Sequence, residues 1–262
     1  MSHSTQRSLI KNEHLSGETF FWHAGPVGIL LLHGFTATTA EVRPLAVSLA
    51  AQGYTILAPL LPGHNTTPAD LNSIRWQDWV EAAESAYITI RQHCQIVIVG
   101  GESMGGLLAL YLASQYPEIA AILAYAPALN LNLSRTNRIQ LQFLALIKPY
   151  VEKPKNDDDI LWQGYTVNPL KGVLQLLKFQ DAVRLKLPEI CQPLLIIQGR
   201  LDPTVHPSVP DMLSSQVQSD FVEVKWMEHS AHVVILDQEH EEVENITQHF
   251  IARVVSSKNL LH

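Results

Sequence analysis

Short runs of apolar residues alternate along the chain with longer segments in which apolar residues recur every three or four positions. The short runs predict six strands, at Val27–Leu32 and at residues 54–58, 96–99, 121–125, 194–198 and 221–226. The longer segments, such as residues 42–49 and 76–90, place their apolar residues on one face of a helix. Strands that alternate with helices in this way are typical of βαβ units. The sequence therefore predicts an α/β fold with a mostly parallel sheet.

The composition of the strands indicates their places in that sheet. The middle four are apolar almost throughout, as expected of strands that helices cover on both faces. The last strand includes Glu223 and Lys225, so we expect it near an edge.

Residues 128–187 interrupt the alternation. No convincing strand occurs in this segment, which is far longer than an ordinary connection between a strand and a helix. Its apolar residues fall in two groups that indicate helices: Ile139, Leu141, Phe143, Leu144, Leu146 and Ile147, and then Leu170, Val173, Leu174 and Leu177. We predict a helical cap at 128–187 over a core domain made of residues 1–127 and 188–262.

Composition and charge exclude several classes of function. The chain has 262 residues, 47% of them hydrophobic and 16% charged, which fits a compact globular protein. A net charge of −7 argues against nucleic-acid binding and against anionic lipid surfaces. No apolar stretch reaches the length of a signal peptide or a membrane span, so the sequence predicts a cytoplasmic protein without stable membrane insertion. Cys94 and Cys191 are predicted to be reduced, structural thiols.

A candidate nucleophile lies after the third predicted strand. Residues 101–105 read Gly-Glu-Ser-Met-Gly, which matches the pattern G-x-S-x-G. The match joins an apolar strand to an Ala/Leu-rich helix, and such a strand-to-helix turn presents a nucleophilic serine. The strained turn needs small residues two positions before and after Ser103, and Gly101 and Gly105 meet that need. Ser103 is thus the predicted nucleophile, and the alternative is a glycine-rich turn with an incidental serine.

A serine hydroxyl needs a base to remove its proton, and the base needs an acid that holds it in one tautomer. Asp202 lies in the short segment just after the fifth predicted strand, where the acid is expected. The alternative is that Asp202 only forms the turn before Pro203. Because Ser103 precedes it in the expected chain order, we predict that Asp202 is the acid.

Twelve histidines compete for the role of the base. Only His229 and His232 occupy the loop after the last predicted strand, and we predict His232 because it lies at the far end of that loop. His206 and His240 are interpreted as solvated side chains outside the site.

Two backbone N–H groups are expected to form an oxyanion hole. One belongs to Met104, the residue after the nucleophile. The other is predicted to be that of Phe35, in the loop after Val27–Leu32, where Gly34 allows a close turn. His33 in the same loop is interpreted as a structural residue that braces it.

Four motifs together resemble the bacterial carboxylesterase and monoacylglycerol lipase group of the α/β-hydrolase superfamily. They are HGFT at 33–36, GESMGG at 101–106, QGRLD at 198–202 and HSAH at 229–232. The resemblance implies an α/β-hydrolase fold with helices on both faces of the sheet and a small helical cap. It also implies hydrolysis of carboxylic esters with small to medium acyl chains, monoacylglycerols among them, through an acyl-enzyme and without a cofactor. In that group the second histidine of His-Ser-x-His is catalytic, which agrees with His232.

Other functions stay open at the level of the sequence. The same triad serves carbon–carbon bond hydrolases and acyltransferases, and a binding protein could retain the fold without the chemistry. A metal-dependent hydrolase is disfavoured because the sequence contains no H-E-x-x-H. The expected partner is a small lipophilic ester, and the oligomeric state, monomer or weak dimer, stays undecided.

Overall fold

A computed structural model describes residues 9–153 and 160–259. Its strands are β1 (Ile10–Lys11), β2 (Phe20–Trp22), β3 (Val27–Leu32), β4 (Thr55–Ala58), β5 (Ile96–Glu102), β6 (Ala121–Tyr125), β7 (Tyr150–Glu152), β8 (Gly164–Tyr165), β9 (Val167–Pro169), β10 (Leu194–Gly199) and β11 (Val222–Met227). Its helices are α1 (Arg43–Ala51), α2 (Pro68–Ser73), α3 (Trp76–Arg91), α4 (Met104–Gln115), α5 (Arg135–Ile147), α6 (Leu170–Lys186), α7 (Val209–Gln216) and α8 (His240–Asn259). A 3₁₀ turn at Leu187–Glu189 follows α6.

Seven strands form the central sheet, in the order β11-β10-β6-β5-β3-β4-β2. All neighbouring pairs are parallel except β2 with β4, which is antiparallel. The predicted α/β-hydrolase fold and all six predicted strands are confirmed, and β11 lies at an edge as expected. β5 continues past its apolar run to Glu102, because its glycines pair in register with Leu31 and Leu32 of β3. β2 was not predicted, since three residues are too few to display a period.

The core occupies both faces of this sheet, because successive side chains of a strand point to opposite faces. In β3, Leu30 and Leu32 pack on the side of α3 and α4, where Trp79 is fully buried. Ile29 and Leu31 pack on the side of α1 and α8. Both faces of the sheet are therefore covered by apolar side chains at its centre, which explains the continuous apolar runs in the sequence.

In the segment between β6 and β10, the described residues form α5, three short strands and α6. β7 pairs with β9, and β8 pairs with β1, all antiparallel. The expectation of no strand in residues 128–187 was therefore wrong. These strands have two or three residues each and form through contacts distant in sequence, so no local period announces them.

The two long helices of this segment differ in burial. Leu176, Phe179 and Val183 of α6 belong to the core on the side of α3 and α4. In α5 the large apolar side chains of Ile139, Phe143, Leu146 and Ile147 are instead 55%, 68%, 79% and 78% exposed. Within the described ranges, no helix is long and apolar enough to cross a membrane.

Both cysteines are free. Cys94 is buried beside Gly28, whereas Cys191 is exposed. The interpretation as a structural thiol therefore holds for Cys94 and is wrong for Cys191.

Candidate active site

Ser103 occupies the turn between β5 and α4. Its backbone angles, φ 55° and ψ −107°, lie in a region that residues other than glycine rarely adopt. The turn is held by the Ser103 N–H, which donates to the carbonyl of Tyr125 over 2.9 Å. The Ser103 side chain thus stands at the carboxyl end of a central strand, with only 9% of the residue exposed.

The two glycines that flank Ser103 are required by the packing of the turn. A Cβ atom at Gly101 would lie 2.4 Å from the carbonyl oxygen of Leu32, and a Cβ at Gly105 would lie 1.9 Å from the same atom. Neither distance is compatible with a side chain. The G-x-S-x-G pattern therefore reflects the close approach of β3 to the turn.

His232 lies between Ser103 and Asp202. Its Nε2 is 2.9 Å from Ser103 Oγ, and its Nδ1 is 2.8 Å from Asp202 Oδ2. These distances are those of hydrogen bonds, and they match the geometry of a nucleophile, a base and an orienting acid. The structure thus brings together the three side chains that the sequence singled out.

Asp202 is held by four hydrogen bonds. Its Oδ1 accepts the N–H groups of Thr204 at 2.7 Å and Val205 at 3.0 Å, and its Oδ2 accepts Gln198 Nε2 at 2.7 Å in addition to His232. Burial raises the pKa of Asp202, but the His232 contact and these N–H donors outweigh it, so that its pKa is lowered. The carboxylate is therefore ionised and oriented toward His232.

The other histidines near the loop do not reach Ser103. The His229 side chain is exposed, and the His229 backbone N–H donates to Glu239 Oε2 over 2.8 Å. His206 contacts Ser208, and His240 contacts a main-chain carbonyl, both with exposed rings. Of the two candidates in the 229–232 loop, His232 alone faces the serine.

The two candidate oxyanion donors flank Ser103. Met104 is the first residue of α4, so its N–H has no partner within the helix. Neither its N–H nor that of Phe35 donates to any of the described residues. The loop of Phe35 lies against the turn, because a Cβ at Gly34 would be 3.5 Å from the carbonyl oxygen of Glu102. Two free donors are therefore available beside the serine.

His33 fixes the peptide that carries the Phe35 N–H. The Leu61 N–H donates to His33 Nε2 over 3.0 Å, so the ring proton must be on Nδ1. That proton is donated to the carbonyl oxygen of Gly34 at 2.9 Å. Burial lowers the pKa of His33 to about 4, which keeps this tautomer neutral. The interpretation of His33 as a brace of the loop agrees with these contacts.

Two buried acids next to the turn were not singled out in the sequence. Glu41, 3% exposed, accepts the Gly34 N–H on Oε2 at 2.5 Å and Trp162 Nε1 on Oε1 at 3.1 Å. Glu102 is fully buried, and its Oε2 accepts the N–H of Ile235 at 3.4 Å. Its Oε1 has no hydrogen-bond partner among the described residues. The acids therefore contact both the loop of Phe35 and the segment just after His232.

Burial raises the pKa of both acids, and the nearby Glu41 carboxyl group raises the pKa of Glu102 further because like charges repel. One signal for Glu102 was present in the sequence, since it directly precedes Ser103 at the end of an apolar strand, where burial is favoured. Glu41 had no such signal, because its partner Trp162 lies more than a hundred residues away.

The chain matches the family described as "Serine aminopeptidase, S33" over residues 27–239. It belongs to this S33 family. The thermostable monoacylglycerol lipase of Bacillus sp. (strain H-257) is 34% identical over 224 residues, which cover 85% of this chain and 90% of that enzyme. The carboxylesterase of Bacillus subtilis (strain 168) is 26% identical over 236 residues, 90% of this chain and 96% of that one.

A solved structure gives the same assignment. The chain superposes on a lipolytic enzyme of the metagenome-derived LipS and LipT pair with a TM-score of 0.84 and 30% identity, over 91% of this chain and 99% of that one. The S33 protein is therefore a serine hydrolase. The prediction of a carboxylic ester hydrolase, and the resemblance on which it drew, are confirmed by these relatives.

Proposed function

We propose that the protein hydrolyses carboxylic esters of small to medium acyl chain, with monoacylglycerols as substrates, through an acyl-enzyme on Ser103. The observation that carries the proposal is the pair of contacts made by His232, 2.9 Å to Ser103 Oγ and 2.8 Å to Asp202 Oδ2. A nucleophile, a base and an acid in this order can perform acyl transfer without a cofactor. In this proposal the N–H groups of Phe35 and Met104 form the oxyanion hole.

The reaction follows from these positions. Ser103 Oγ attacks the ester carbonyl as His232 Nε2 takes its proton, and the carbonyl oxygen becomes an anion that the Phe35 and Met104 N–H groups stabilise. Asp202 stabilises the resulting imidazolium. The anion collapses, the alcohol leaves with the proton from His232, and the acyl group stays on Ser103. A water molecule then repeats the attack, and the carboxylic acid is released.

The substrate class rests on the proposed division into a core, residues 1–127 and 188–262, and a cap, residues 128–187. Helix α6 of this cap reaches the oxyanion region, since a Cβ at Gly172 would lie 3.0 Å from the ring of Phe35. A cap in that position limits the size of the alcohol and offers apolar surface to the acyl chain. Each buried methylene contributes about 0.8 kcal/mol, nearly fourfold in binding.

A cytoplasmic location is part of the same proposal. Both cysteines are free thiols, which fits a reducing compartment. Localisation of a tagged chain by cell fractionation tests this part on its own.

Replacement of Ser103 tests the mechanism. We expect Ser103→Ala to lower the kcat for a p-nitrophenyl ester by about 10³-fold or more at an unchanged melting temperature, because the covalent route is lost. An alkyl phosphonate ester should label the wild type on Ser103, with mass spectrometry as the readout, and should not label the variant. An aminoacyl p-nitroanilide serves as the peptidase control. Retained ester turnover in the folded variant would contradict the assignment of Ser103.

A panel of substrates tests the class of ester. We expect kcat/KM to rise from p-nitrophenyl acetate to medium-chain esters and to fall at longer chains, with monoacylglycerols better than triacylglycerols. A steady decline from acetate onward, or a preference for triacylglycerols, would contradict the role given to the cap.

A further inference from the structure

Residues 33–37, which we call the oxyanion loop, are held from the segment that follows β7 as well as from the core. The Tyr165 N–H donates to the carbonyl of Thr36 over 2.9 Å, and Lys153 Nζ donates to Thr36 Oγ1 over 2.5 Å. Ala37 forms a β-bridge with Gly164. The loop that carries the Phe35 N–H is thus a junction between the core and this segment.

The buried side chain of Glu41 contacts both the oxyanion loop and the segment that contains Trp162. Its two oxygens accept different donors: Oε2 accepts the Gly34 N–H of the oxyanion loop, and Oε1 accepts Trp162 Nε1. The Gly34 N–H precedes the peptide of Phe35 by one residue, and its bond to Glu41 is 2.5 Å long. The carboxyl group therefore anchors one end of Gly34, while His33 holds its carbonyl at the other end.

We propose that Glu41 is a positioning residue that sets the direction of the Phe35 N–H, and that Trp162 orients the Glu41 carboxyl group for this task. The inference rests on the proposed function, because the role of the Phe35 N–H belongs to that proposal. Glu41 itself touches no reacting atom.

The physical reason is the steep dependence of catalysis on donor geometry. Loss of one oxyanion donor lowers kcat by about 10²- to 10³-fold, and a displacement of about 1 Å in a positioned group can cost about 10²-fold. If the bond from Gly34 to Glu41 is lost, the Phe35 N–H is still present but no longer points in a fixed direction. We therefore expect a loss in kcat that is large and yet smaller than that of a missing donor.

The first test is Glu41→Ala. We expect kcat for a p-nitrophenyl ester to fall about 10- to 100-fold with KM within about twofold. The affinity for an alkyl trifluoromethyl ketone, which forms a tetrahedral oxyanion on Ser103, should fall by the same factor as kcat/KM. The affinity for the matched methyl ketone should stay unchanged. A residue that only stabilises the fold would lower the melting temperature without separating the two ketones.

The second test uses the two different oxygens of Glu41. A glutamine at this position has one acceptor oxygen for two donors, so Glu41→Gln should lower kcat. Trp162→Phe removes the indole donor and, alone, should lower kcat by only about two- to fivefold. In the double variant the single oxygen is free to accept the Gly34 N–H, so Trp162→Phe should raise kcat when it is added to Glu41→Gln. This reversal of sign is not expected of two unrelated structural residues.

The matched control is Thr38→Val. Thr38 Oγ1 donates to Gln163 Oε1 over 2.7 Å. Like the bond between Glu41 and Trp162, this bond joins the region after β3 to the region before β8, but it does not involve Gly34. We expect Thr38→Val to lower the melting temperature and to leave kcat and the ratio of the two ketone affinities unchanged. Unchanged kcat in Glu41→Ala, or an equal loss in Thr38→Val, would overturn the inference. Phosphonate labelling of Ser103 in every variant keeps such a failure distinct from failure of the proposed function.

Discussion

The turn around Ser103 and helix α5 are opposite cases of how strongly a structure constrains its sequence. At the turn, the positions of Gly101 and Gly105 have backbone atoms 2.4 and 1.9 Å from where a Cβ would be, so only glycine fits. In α5, Phe143 is 68% exposed and Leu146 79% exposed, so many side chains fit there. The comparison teaches that a sequence motif predicts structure well where the backbone leaves no room for any other residue. Apolar composition alone does not show which side chains are packed in the core.

The largest expected effect concerns the chemistry at the turn. We expect His232→Ala to lower kcat/KM by about 10³-fold or more, because among the described residues His232 is the base that contacts Ser103 Oγ. His229→Ala is the matched control from the same loop and should keep most of the activity, since the His229 ring is exposed and contacts neither Ser103 nor Asp202. Steady-state kinetics on both variants decides, and the reverse order of the two losses would contradict the assignment of the base.

The sequence predicted the six main strands, the edge position of β11 and the three residues that meet at 2.9 and 2.8 Å. It could do so because parallel strands end at one edge of the sheet, which brings together residues that follow different strands. The strand β5 and the loop of His232 are each recognisable from a short stretch of consecutive residues. Glu41 and Trp162 are not recognisable in this way, because their contact joins positions distant in sequence and because an isolated glutamate is ordinarily exposed.

The burial of the apolar residues between β6 and β10 also depends on contacts that are distant in sequence. Composition indicated helices there, but it could not distinguish Phe143, which faces solvent, from Phe179, which is fully buried. The distinction depends on which side of each helix meets α3 and α4, and only the tertiary arrangement decides this.

The two phenylalanines provide the second prediction. We expect Phe179→Ala to lower the free energy of unfolding by about 3–5 kcal/mol, because it opens a cavity between Trp76 and Tyr111, whose rings lie 5.4 and 5.8 Å from that of Phe179. Phe143→Ala should change it by less than about 0.5 kcal/mol. Urea unfolding followed by tryptophan fluorescence measures both. Equal losses would indicate that α5 is packed as tightly as α6.

A third prediction addresses the sterics of the turn. We expect Gly105→Ala to lower the free energy of unfolding by about 3 kcal/mol and to lower activity with it, because β3 must move away from the new methyl group. Gly53→Ala is the control: Gly53 has a φ of +86° with no atom within 4 Å of the added Cβ. Its cost should be the backbone strain alone, about 1 kcal/mol, without loss of kcat. An active, fully stable Gly105→Ala variant would contradict the steric account.

A pH-dependent effect sharpens the comparison within the turn itself, at Glu102. Burial and the neighbouring charges of Glu41 and Asp202 raise the pKa of Glu102 well above its usual value. Below the pKa of the unfolded chain, both states hold the proton and stability does not depend on it. As the pH rises above about 4.3, the unfolded state releases the proton while the folded state keeps it. This group therefore lowers the free energy of unfolding as pH rises, by at most about 1.4 kcal/mol per pH unit, until its folded pKa is passed.

Glu102→Gln should remove that slope, because the amide oxygen can still accept the Ile235 N–H while nothing titrates. We expect the melting temperatures of wild type and variant to differ little at pH 4 and the variant to be the more stable at pH 8. A constant difference between pH 4 and pH 8 would show that Glu102 does not titrate across folding. A stability difference that grows from pH 4 to pH 8 would instead show that the turn combines two kinds of position: glycines that sterics fix, and an acid whose ionised form the fold disfavours.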